Sequence, residues 1–462
     1  MMKQHLYKIA FLLTCFAFTG CSKFLDVTPS TQVVNPSTIA DFQEMLNSDS
    51  LGIGNYFLTD LMSDDTYMTN NMRGSIDNSY TRSYLWQNTI WNAADVDFMY
   101  SGSYTRILQM NVILSKVTSA PADTSNTVQN RNMVIAQSLI HRSWYYLQLA
   151  NIYGPAYQTT SSFTDLAVPL VLAPNAAALP YRATVQEVYS QVVSDLRTAV
   201  SNSYLPGTGK DILHPGKAAG YALLARAYLY MHNYDSALLY ADSSLALVNK
   251  VTNYISGYAI PTQLVDLRNN PEILMAKIAY EQTFYKMFNN YSVRNSPSLY
   301  AYLGYYDMRY SLRFDYAGAM RTTTYNGATT IVTDFSLSTP EVLLTKAECL
   351  ARKGEITGAV DIVNTIATNR VRYYVPVSAS TSSEALRLVL AERRRELFMH
   401  GGLRLFDLKR LNQDAATAVD LTRKGDDSTV LATLPALSSR YVMPFTQTIL
   451  ANNPNITQNV RQ

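Results

Sequence analysis

The segment HPGKAAGYALLARAYLYMHNYDSAL, residues 214–238, contains two helical patterns separated by a short break. In the first pattern, Ala225 and Tyr228 recur at helical spacing and lie on one face. The break falls at 232–233, and Ala237 belongs to the helix that follows. Small residues on both sides of the break let antiparallel helices approach closely, so the segment predicts a helical hairpin.

A second segment repeats this spacing. Ala225 and Ala237 are twelve residues apart, and so are Ala347 and Ala359, which flank a turn at 353–354. Matched small residues in successive hairpins are typical of tetratricopeptide repeats. An ordinary antiparallel helix pair with alanine at its contact would show the same spacing, so this simpler interpretation stays open.

Helical periodicity extends over much of the chain, whereas strand-like alternation is rare. Thr381 followed by Glu384 is a capping-box pattern, which predicts that a helix begins there. The sequence therefore predicts a mostly α fold, in which one domain has a degenerate tetratricopeptide-repeat core with long irregular insertions. The predicted domain covers 41–462, its hairpins about 100–152, 184–248 and 340–399, and its insertions about 48–99 and 252–335.

The first 20 residues (1–20) have the layout of a removable secretory signal. Lys3 and Lys8 precede a short apolar run, and two small residues then lead into Cys21. A cysteine at this place resembles the bacterial lipobox, which implies that Cys21 is the lipid-attachment residue. Residues 21–40 are polar and rich in turn formers, and we expect them to be a tether. An unmodified cysteine near the N-terminus is the alternative interpretation.

Composition narrows the classes of function. Loss of Lys3 and Lys8 from 38 basic residues leaves 36, against 35 acidic residues, so the mature chain is nearly neutral. A nearly neutral chain is unlike a nucleic-acid-binding protein, which needs a basic surface. Cys21 and Cys349 are the two cysteines left, and an acylated Cys21 excludes an intramolecular disulfide.

Motifs of catalysis are missing from the sequence. It contains no Gly-x-Ser-x-Gly, no His-Glu-x-x-His and no phosphate-binding Gly-x-x-x-x-Gly-Lys-Ser/Thr. Asp64 and Asp65 are more typical of a solvated turn or a weak cation contact than of a catalytic pair. We therefore expect no enzyme activity, no cofactor and no metal site.

The segment LAERRRELFMHGGLRLFDLKRLN, residues 390–412, is dense in charge. It could form an anion site or an acid/base group. Helical spacing instead allows Glu392 to pair with Arg395, and Arg404 with Asp407, each three residues apart. We therefore expect a structural ion-pair cluster that ties the last helices to the domain. The buried stripe of the first helix is expected at Leu386, Leu390 and Leu397.

Several segments together resemble the SusD/RagB family of outer-membrane nutrient-binding lipoproteins. The resemblance keeps its order over essentially the whole mature chain. One departure is His400-Gly401-Gly402, where the family most often has an acidic residue and a single glycine. The similar segments are CSKFLDVTPST (21–31), WYY to YGP (144–155), 183–200, 214–238, 390–412 and MPFTQTILANNPNITQN (443–459).

This resemblance implies a function. The family's proteins capture a nutrient oligomer, usually an oligosaccharide, and deliver it to a SusC-type TonB-dependent transporter in the outer membrane. It also implies a lipid anchor in that membrane and a shallow ligand surface built from irregular insertions. Two alternatives stay open: uptake of peptides by the same architecture, and a surface helical-repeat scaffold that binds proteins without handling nutrients.

Two stretches combine aromatic rings with polar side chains, the mixture that sugars require. For each tryptophan the competing interpretation is core packing, since tryptophans are usually well buried. Candidates in the first stretch, 64–91, are Tyr84, Trp86 and Trp91 with Arg73, Asp77 and Asn88. Those in the second, 299–309, are Tyr300, Tyr302, Tyr305 and Tyr306 with Asp307 and Arg309.

Overall fold

A computed structural model describes most of the chain after residue 35. Cys21, the signal and most of the tether lie outside the described residues. Residues Thr38–Gln462 pack as one compact unit. The described ranges are 36–54, 56–75, 78–121, 127–175, 177–256, 267–279, 292–313, 323–325, 329–331 and 333–462.

Helices dominate the described residues, which confirms the predicted mostly α fold. None of these helices is both long and apolar enough to cross a membrane. Their bounds are α1 Ile39–Leu46, α2 Phe57–Met62, α3 Asn70–Ser75, α4 Ser79–Tyr84, α5 Phe98–Lys116, α6 Thr127–Tyr153, α7 Val185–Ser201, α8 Lys217–Tyr230, α9 Tyr234–Leu245, α10 Pro297–Leu303, α11 Met308–Arg313, α12 Thr339–Lys353, α13 Ile356–Thr368, α14 Ser382–Leu397, α15 Leu403–Leu411 and α16 Gln447–Asn452.

The alanine positions lie where the sequence predicts. Helix α8 packs against α9, α12 packs against α13, and α9 also contacts α12. Ala225, Ala237, Ala347 and Ala359 are all at most 1% exposed. A larger side chain at any of them would have to displace a neighbouring helix, which explains why small residues occupy these points.

Helix α14 begins as predicted but buries a different face. The Thr381 hydroxyl accepts a hydrogen bond from the Glu384 backbone N–H, and the Glu384 carboxylate accepts one from the Thr381 N–H, which completes the capping box. The predicted stripe is confirmed at Leu397, which is 3% exposed, but it is wrong at Leu386 and Leu390, because both are half-buried. Ala385 and Val389, one turn apart, are buried instead. The buried face of the helix continues with Glu392 and Glu396, whose carboxylates form ion pairs inside the domain.

The paired glycines before α15 have a structural reason. Gly401 and Gly402 both have positive φ, +57° and +90°. A Cβ on Gly401 would lie 2.6 Å from the Phe335 ring, so no larger residue fits there without rearrangement. The two N–H groups donate to the buried carboxylate of Asp60 at 3.2 and 2.9 Å, which fixes the turn.

The first insertion is not the exposed irregular segment that its composition suggests. Helix α2 is buried along its whole length, and Tyr56 just before it is 1% exposed. The hydroxyl of Tyr56 shares a hydrogen bond with Ser103 in α5 at 2.8 Å. This segment therefore contributes to the main core, and its buried polar residues, such as Asp60 and Asp65, form internal contacts.

Short strands join the insertions to each other and to the helices. Strand β2 pairs antiparallel with β7, and β12 forms a hairpin with β13. The bounds are β1 Ile53–Gly54, β2 Thr66–Met68, β3 Leu166–Pro169, β4 Arg182–Thr184, β5 Ile273–Met275, β6 Ile278–Ala279, β7 Val293–Asn295, β8 Thr323–Tyr325, β9 Thr329–Ile331, β10 Thr333–Asp334, β11 Leu337–Ser338, β12 Leu421–Lys424 and β13 Val430–Leu434.

Candidate ligand-binding surface

The two insertions meet where β2 pairs with β7, with Thr66 opposite Asn295. Ser296 extends the junction. Its N–H donates to the Asp65 carbonyl at 2.7 Å, and its hydroxyl donates to the Asp64 carbonyl at 2.6 Å. Two stretches that are distant in sequence thus form one continuous part of the domain.

Arginines from the last helices bind the aspartates at this junction. Arg404 donates two hydrogen bonds to Asp64, at 2.7 and 2.9 Å, and Arg394 Nε donates to Asp65 at 2.9 Å. Burial disfavours the charged form of Asp64, but Arg404 and Arg394 outweigh it and hold the pKa of Asp64 well below its usual range. The prediction of a solvated turn at Asp64 and Asp65 is therefore wrong, and so is the predicted pair of Arg404 with Asp407.

The charged cluster of α14 and α15 is nevertheless structural, as predicted. Asp407 accepts from Arg393 at 2.7 Å and from Arg410 at 2.8 Å, so its carboxylate is occupied by other arginines than Arg404. The predicted pair of Glu392 with Arg395 is confirmed at 2.9 Å. Buried charges of this kind are tolerated because each lies beside an opposite charge. Arg393 meets this condition through Nε alone, and its two terminal nitrogens have no partner among the described residues.

Arg309 is part of this cluster and does not face solvent. It is 3% exposed. Its guanidinium donates to Asp307, to Glu392 at 2.6 Å and to Glu396 at 2.8 Å. Its predicted role in ligand binding is therefore wrong, because three carboxylates occupy its nitrogens.

A groove with a volume of about 460 Å³ lies between the first insertion and the β12–β13 hairpin. The Tyr67 hydroxyl donates to the Asp426 carboxylate across it. Burial and this contact raise the pKa of Tyr67 to about 12, so the hydroxyl stays protonated at neutral pH. Lys424 and Ser298 also line the groove, and Ser298 brings in the second insertion.

The rings of Trp86 and Tyr84 are internal. Trp86 is 0% exposed, and its indole N–H donates to the Met62 carbonyl at 2.8 Å. The guanidinium carbon of Arg423 lies 4.5 Å from the Trp86 ring centre and 4.0 Å from that of Tyr84. The predicted stacking of a ligand on these two rings is wrong, because Arg423 and the core already cover them.

The remaining candidates of the first stretch differ in exposure. The Trp91 indole N–H donates to the Pro444 carbonyl at 2.7 Å, and its side chain is 9% exposed at the edge of a cavity of about 320 Å³. Arg73 is half-buried and donates to oxygen atoms of its own segment. Asn88 is exposed, and Asp77 lies outside the described residues. Most of the predicted aromatic surface of this stretch is therefore structural.

The second stretch has the exposed aromatic residues. Tyr300, Tyr302, Tyr305 and Tyr306 are 46%, 44%, 80% and 53% exposed, and Tyr373, from the loop after α13, is 85% exposed. The Tyr305 and Tyr306 ring centres are 5.3 Å apart, and those of Tyr306 and Tyr373 are 5.4 Å apart, each pair nearly perpendicular. We call these five residues the tyrosine ledge.

Backbone hydrogen bonds hold the two parts of the tyrosine ledge together. The Met308 N–H donates to the Arg370 carbonyl at 2.8 Å, and the Arg372 N–H donates to the Tyr306 carbonyl at 3.0 Å. These bonds place Tyr373 beside the second insertion. Tyr373 was not among the predicted ligand residues, because its only signal in the sequence is a pair of tyrosines in a loop between two helices.

Comparison with known families matches nearly the whole chain. A family model described as "Starch-binding associating with outer membrane" matches residues 23–229, and the model of the SusD family matches residues 249–461. The chain belongs to the SusD/RagB family. The resemblance found in the sequence is thereby confirmed, and SusD/RagB membership associates the chain with the outer membrane.

Solved structures share the SusD/RagB fold. A SusD superfamily protein from Bacteroides thetaiotaomicron is 20% identical with a TM-score of 0.72, covering 92% of this chain and 100% of that one. A putative sugar binding protein from Bacteroides vulgatus is 19% identical with a TM-score of 0.72, covering 92% and 99%. A SusD-like carbohydrate binding protein from the same species is 19% identical with a TM-score of 0.66, covering 91% and 98%. Comparison with curated proteins gives no significant match.

Proposed function

We propose that this SusD/RagB protein captures an oligosaccharide at the outer face of the outer membrane. The tyrosine ledge carries the proposal, because its five rings are 44% to 85% exposed and three of them, Tyr305, Tyr306 and Tyr373, contact one another edge to face. Grouped exposed apolar surface is uncommon on soluble domains and marks interaction sites. The flat C–H faces of a sugar stack on such rings, and its hydroxyl groups form hydrogen bonds with phenolic oxygens.

The charges around the tyrosine ledge favour a neutral ligand. Beneath it, Arg309 is bound by three carboxylates, and Arg394 is bound to Asp65. A charged ligand would have to compete with these internal pairs. Hydroxyl groups need no such competition, since exposed phenols both donate and accept hydrogen bonds.

The groove extends the proposed site. Arg394 contacts the ring of Tyr302 and also donates to the Ser298 hydroxyl at 3.0 Å, so one side chain lies beneath both the tyrosine ledge and the rim of the groove. We propose that a ligand longer than the tyrosine ledge continues into this groove. There Tyr67, Lys424 and Asp426 provide polar contacts.

We propose binding without chemistry. A glycosidase needs one carboxyl group as acid and a second as base or nucleophile. The carboxylates of Asp64, Asp65, Glu392 and Glu396 each bind an arginine, and that of Asp426 in the groove accepts from the Tyr67 hydroxyl. In the described part of the chain, no group of three or more His, Cys, Asp or Glu side chains is placed to hold a metal ion.

Delivery and anchoring complete the proposal. The lipobox-like N-terminus supports a triacylated Cys21, and two acyl chains suffice for stable attachment to a membrane. Family membership supports delivery to a SusC-type TonB-dependent transporter, over which the lipoprotein would act as a lid. Two Bacteroides vulgatus relatives, a putative sugar binding protein and a SusD-like carbohydrate binding protein, support an oligosaccharide ligand.

Calorimetry tests the ligand class. The chain from residue 22 onward is titrated with neutral oligosaccharides, anionic oligosaccharides and peptides at two ionic strengths. We expect one neutral glycan to bind with a Kd of roughly 10⁻⁶ to 10⁻³ M, about 4–8 kcal/mol, because few rings stack and association is costly. The affinity should change little with salt, and the glycan should be recovered intact. Binding of peptides alone, or release of shortened sugars, would contradict the proposal.

A further inference from the structure

Tyr373, in the loop after α13, has a backbone conformation that is uncommon for a residue with a side chain. Its φ is +59°, in the left-handed region that favours glycine. Trp86 and Met399 also have positive φ, but both are 0% exposed, so the core that encloses them compensates for the strain. Tyr373 is 85% exposed and gains no such packing. The stability of the fold would favour glycine or asparagine in this turn, and it does not explain a tyrosine.

Hydrogen bonds on both sides of Tyr373 fix this conformation. Before it, the Arg372 N–H donates to the Tyr306 carbonyl at 3.0 Å. After it, the Tyr374 hydroxyl donates to Asn364 Oδ1 in α13 at 2.8 Å. A strained residue persists where its surroundings determine its backbone, and such residues are concentrated at ligand-binding sites.

The fixed backbone holds the Tyr373 ring at a right angle to that of Tyr306. The two ring planes meet at 89°, with ring centres 5.4 Å apart. A sugar stacks on an aromatic ring through one of its flat C–H faces. Those faces are parallel to each other, so one sugar unit cannot stack on two perpendicular rings. A ligand that stacks on both Tyr306 and Tyr373 therefore needs at least two sugar units.

We infer that Tyr373 contacts a second sugar unit and makes the tyrosine ledge selective for oligosaccharides over monosaccharides. The inference rests on the function proposed above. Tyr373 is the one ring of the tyrosine ledge that lies outside the second insertion, so it extends the platform onto a separate segment of the chain. The strained backbone is kept because it holds this ring beside Tyr306.

Thermal melting tests the strain. Tyr373→Gly and Tyr373→Ala both remove the ring, but only glycine relieves the left-handed backbone, so the glycine variant should have the higher Tm. Tyr181 is the matched control, because it is 74% exposed and has no positive φ. There the order should reverse, since glycine only adds freedom to the unfolded chain. A higher Tm for alanine than for glycine at both positions would overturn the inference, because Tyr373 would then be unstrained.

Binding to the full mature protein tests the selectivity. The probes are maltohexaose, cellohexaose, xylohexaose and mannohexaose, each measured by NMR titration beside its own monosaccharide. For the hexasaccharide that the wild type binds best, Tyr373→Ala should weaken binding at least tenfold, while the affinity for the monosaccharide should change less than twofold. Tyr373→Phe, which keeps the ring, should restore most of the affinity, and Tyr181→Ala should bind like the wild type.

The outcomes separate this inference from the function on which it rests. If the ratio of the two affinities in Tyr373→Ala equals that of the wild type, while joint replacement of Tyr305 and Tyr306 by Ala abolishes binding, the role of Tyr373 is overturned and glycan capture stands. If the wild type binds none of the four hexasaccharides, both the proposed function and this inference are contradicted.

Discussion

The guanidinium carbon of Arg394 lies 4.9 Å from the centre of the Tyr302 ring, while its Nε donates to Asp65 at 2.9 Å. One side chain therefore joins the buried ion pairs of the last helices to the exposed tyrosine ledge. A ring stacked on a fixed cation loses little freedom when a ligand binds, because its position is already set.

Replacement of Arg394 by Met should affect both stability and binding. Asp65 is 0% exposed, burial already raises its pKa, and loss of Arg394 would leave this buried carboxyl group without its hydrogen-bonded partner. Breaking a buried pair in this way typically costs about 3–5 kcal/mol. Urea unfolding should show this loss, whereas Lys353→Met, which breaks the exposed pair with Asp235, should change stability little. Equal effects of the two substitutions would show that the Arg394 pair is not structural.

Acid should destabilise the protein through buried glutamates. Burial opposes ionisation of Glu348, but Arg410 and Arg352 outweigh it and lower its pKa to about 2. Glu396 likewise has a pKa of about 2, held by arginines against burial. Because these values lie below the unfolded value of 4.5, the stability is present above pH 4.5 and is lost as pH falls toward 2. The pKa shift of each glutamate should contribute about 3 kcal/mol to the free energy of unfolding at neutral pH.

Asp97 contributes to the pH dependence of stability with the opposite sign, because burial raises its pKa from 3.8 to about 6. The protonated Asp97 favours the folded state at low pH, and this contribution to stability is lost as the pH rises from 3.8 to about 6. The net loss of stability on acidification should therefore be steepest below pH 4. Unfolding free energies at pH 7, 5, 4 and 3 test this, with Glu348→Gln as control: it should be less stable at pH 7 and lose less below pH 4. A flat profile in the wild type would contradict these assignments.

Enlargement of the buried alanines tests the helix contacts. Ala225→Phe and Ala347→Phe should each overpack a helix pair and lower the unfolding free energy by about 1–3 kcal/mol. Ala451 is an exposed alanine in α16, so Ala451→Phe is the matched control and should change little. Unchanged melting in all three variants would mean that the alanines are not at tight contacts.

Lipid attachment is tested at Cys21. Cys21→Ala removes the thiol that the lipobox-like sequence places after the signal, so the protein should leave the membrane fraction. Mass analysis of the wild-type N-terminus should find an acylated Cys21. Continued membrane retention of the variant, or a mature N-terminus at another residue, would refute the anchor.

Local chemistry explains why much of the fold is predictable. The capping box needs only Thr381 and Glu384, three residues apart, and both of its hydrogen bonds are present. The alanine spacing likewise depends on residues of one hairpin. Such short-range signals identify helices and their contacts without knowledge of the rest of the chain.

Long-range partners explain where sequence reasoning is wrong. Arg404 has a carboxylate three residues away, yet it binds Asp64, 340 positions away in sequence. Trp86 has the same neighbours in sequence whether it faces a ligand or the core, and a residue from a distant hairpin, Arg423, covers its ring. Tyr373 joins the tyrosine ledge for the same reason, through contacts with a separate insertion.

The tyrosine ledge is tested most directly by a pair of double substitutions. Tyr305 and Tyr306 are replaced together by Ala, and in a control Tyr181 and Tyr204, which are 74% and 43% exposed outside the tyrosine ledge, are replaced together by Ala. Both variants should melt like the wild type, since all four rings are exposed. Calorimetry with the best-binding glycan should show at least a tenfold loss of affinity, about 1.4 kcal/mol, for the first variant and wild-type affinity for the control. Wild-type affinity in the Tyr305/Tyr306 variant, or an equal loss in the control, would contradict capture of an oligosaccharide on the tyrosine ledge.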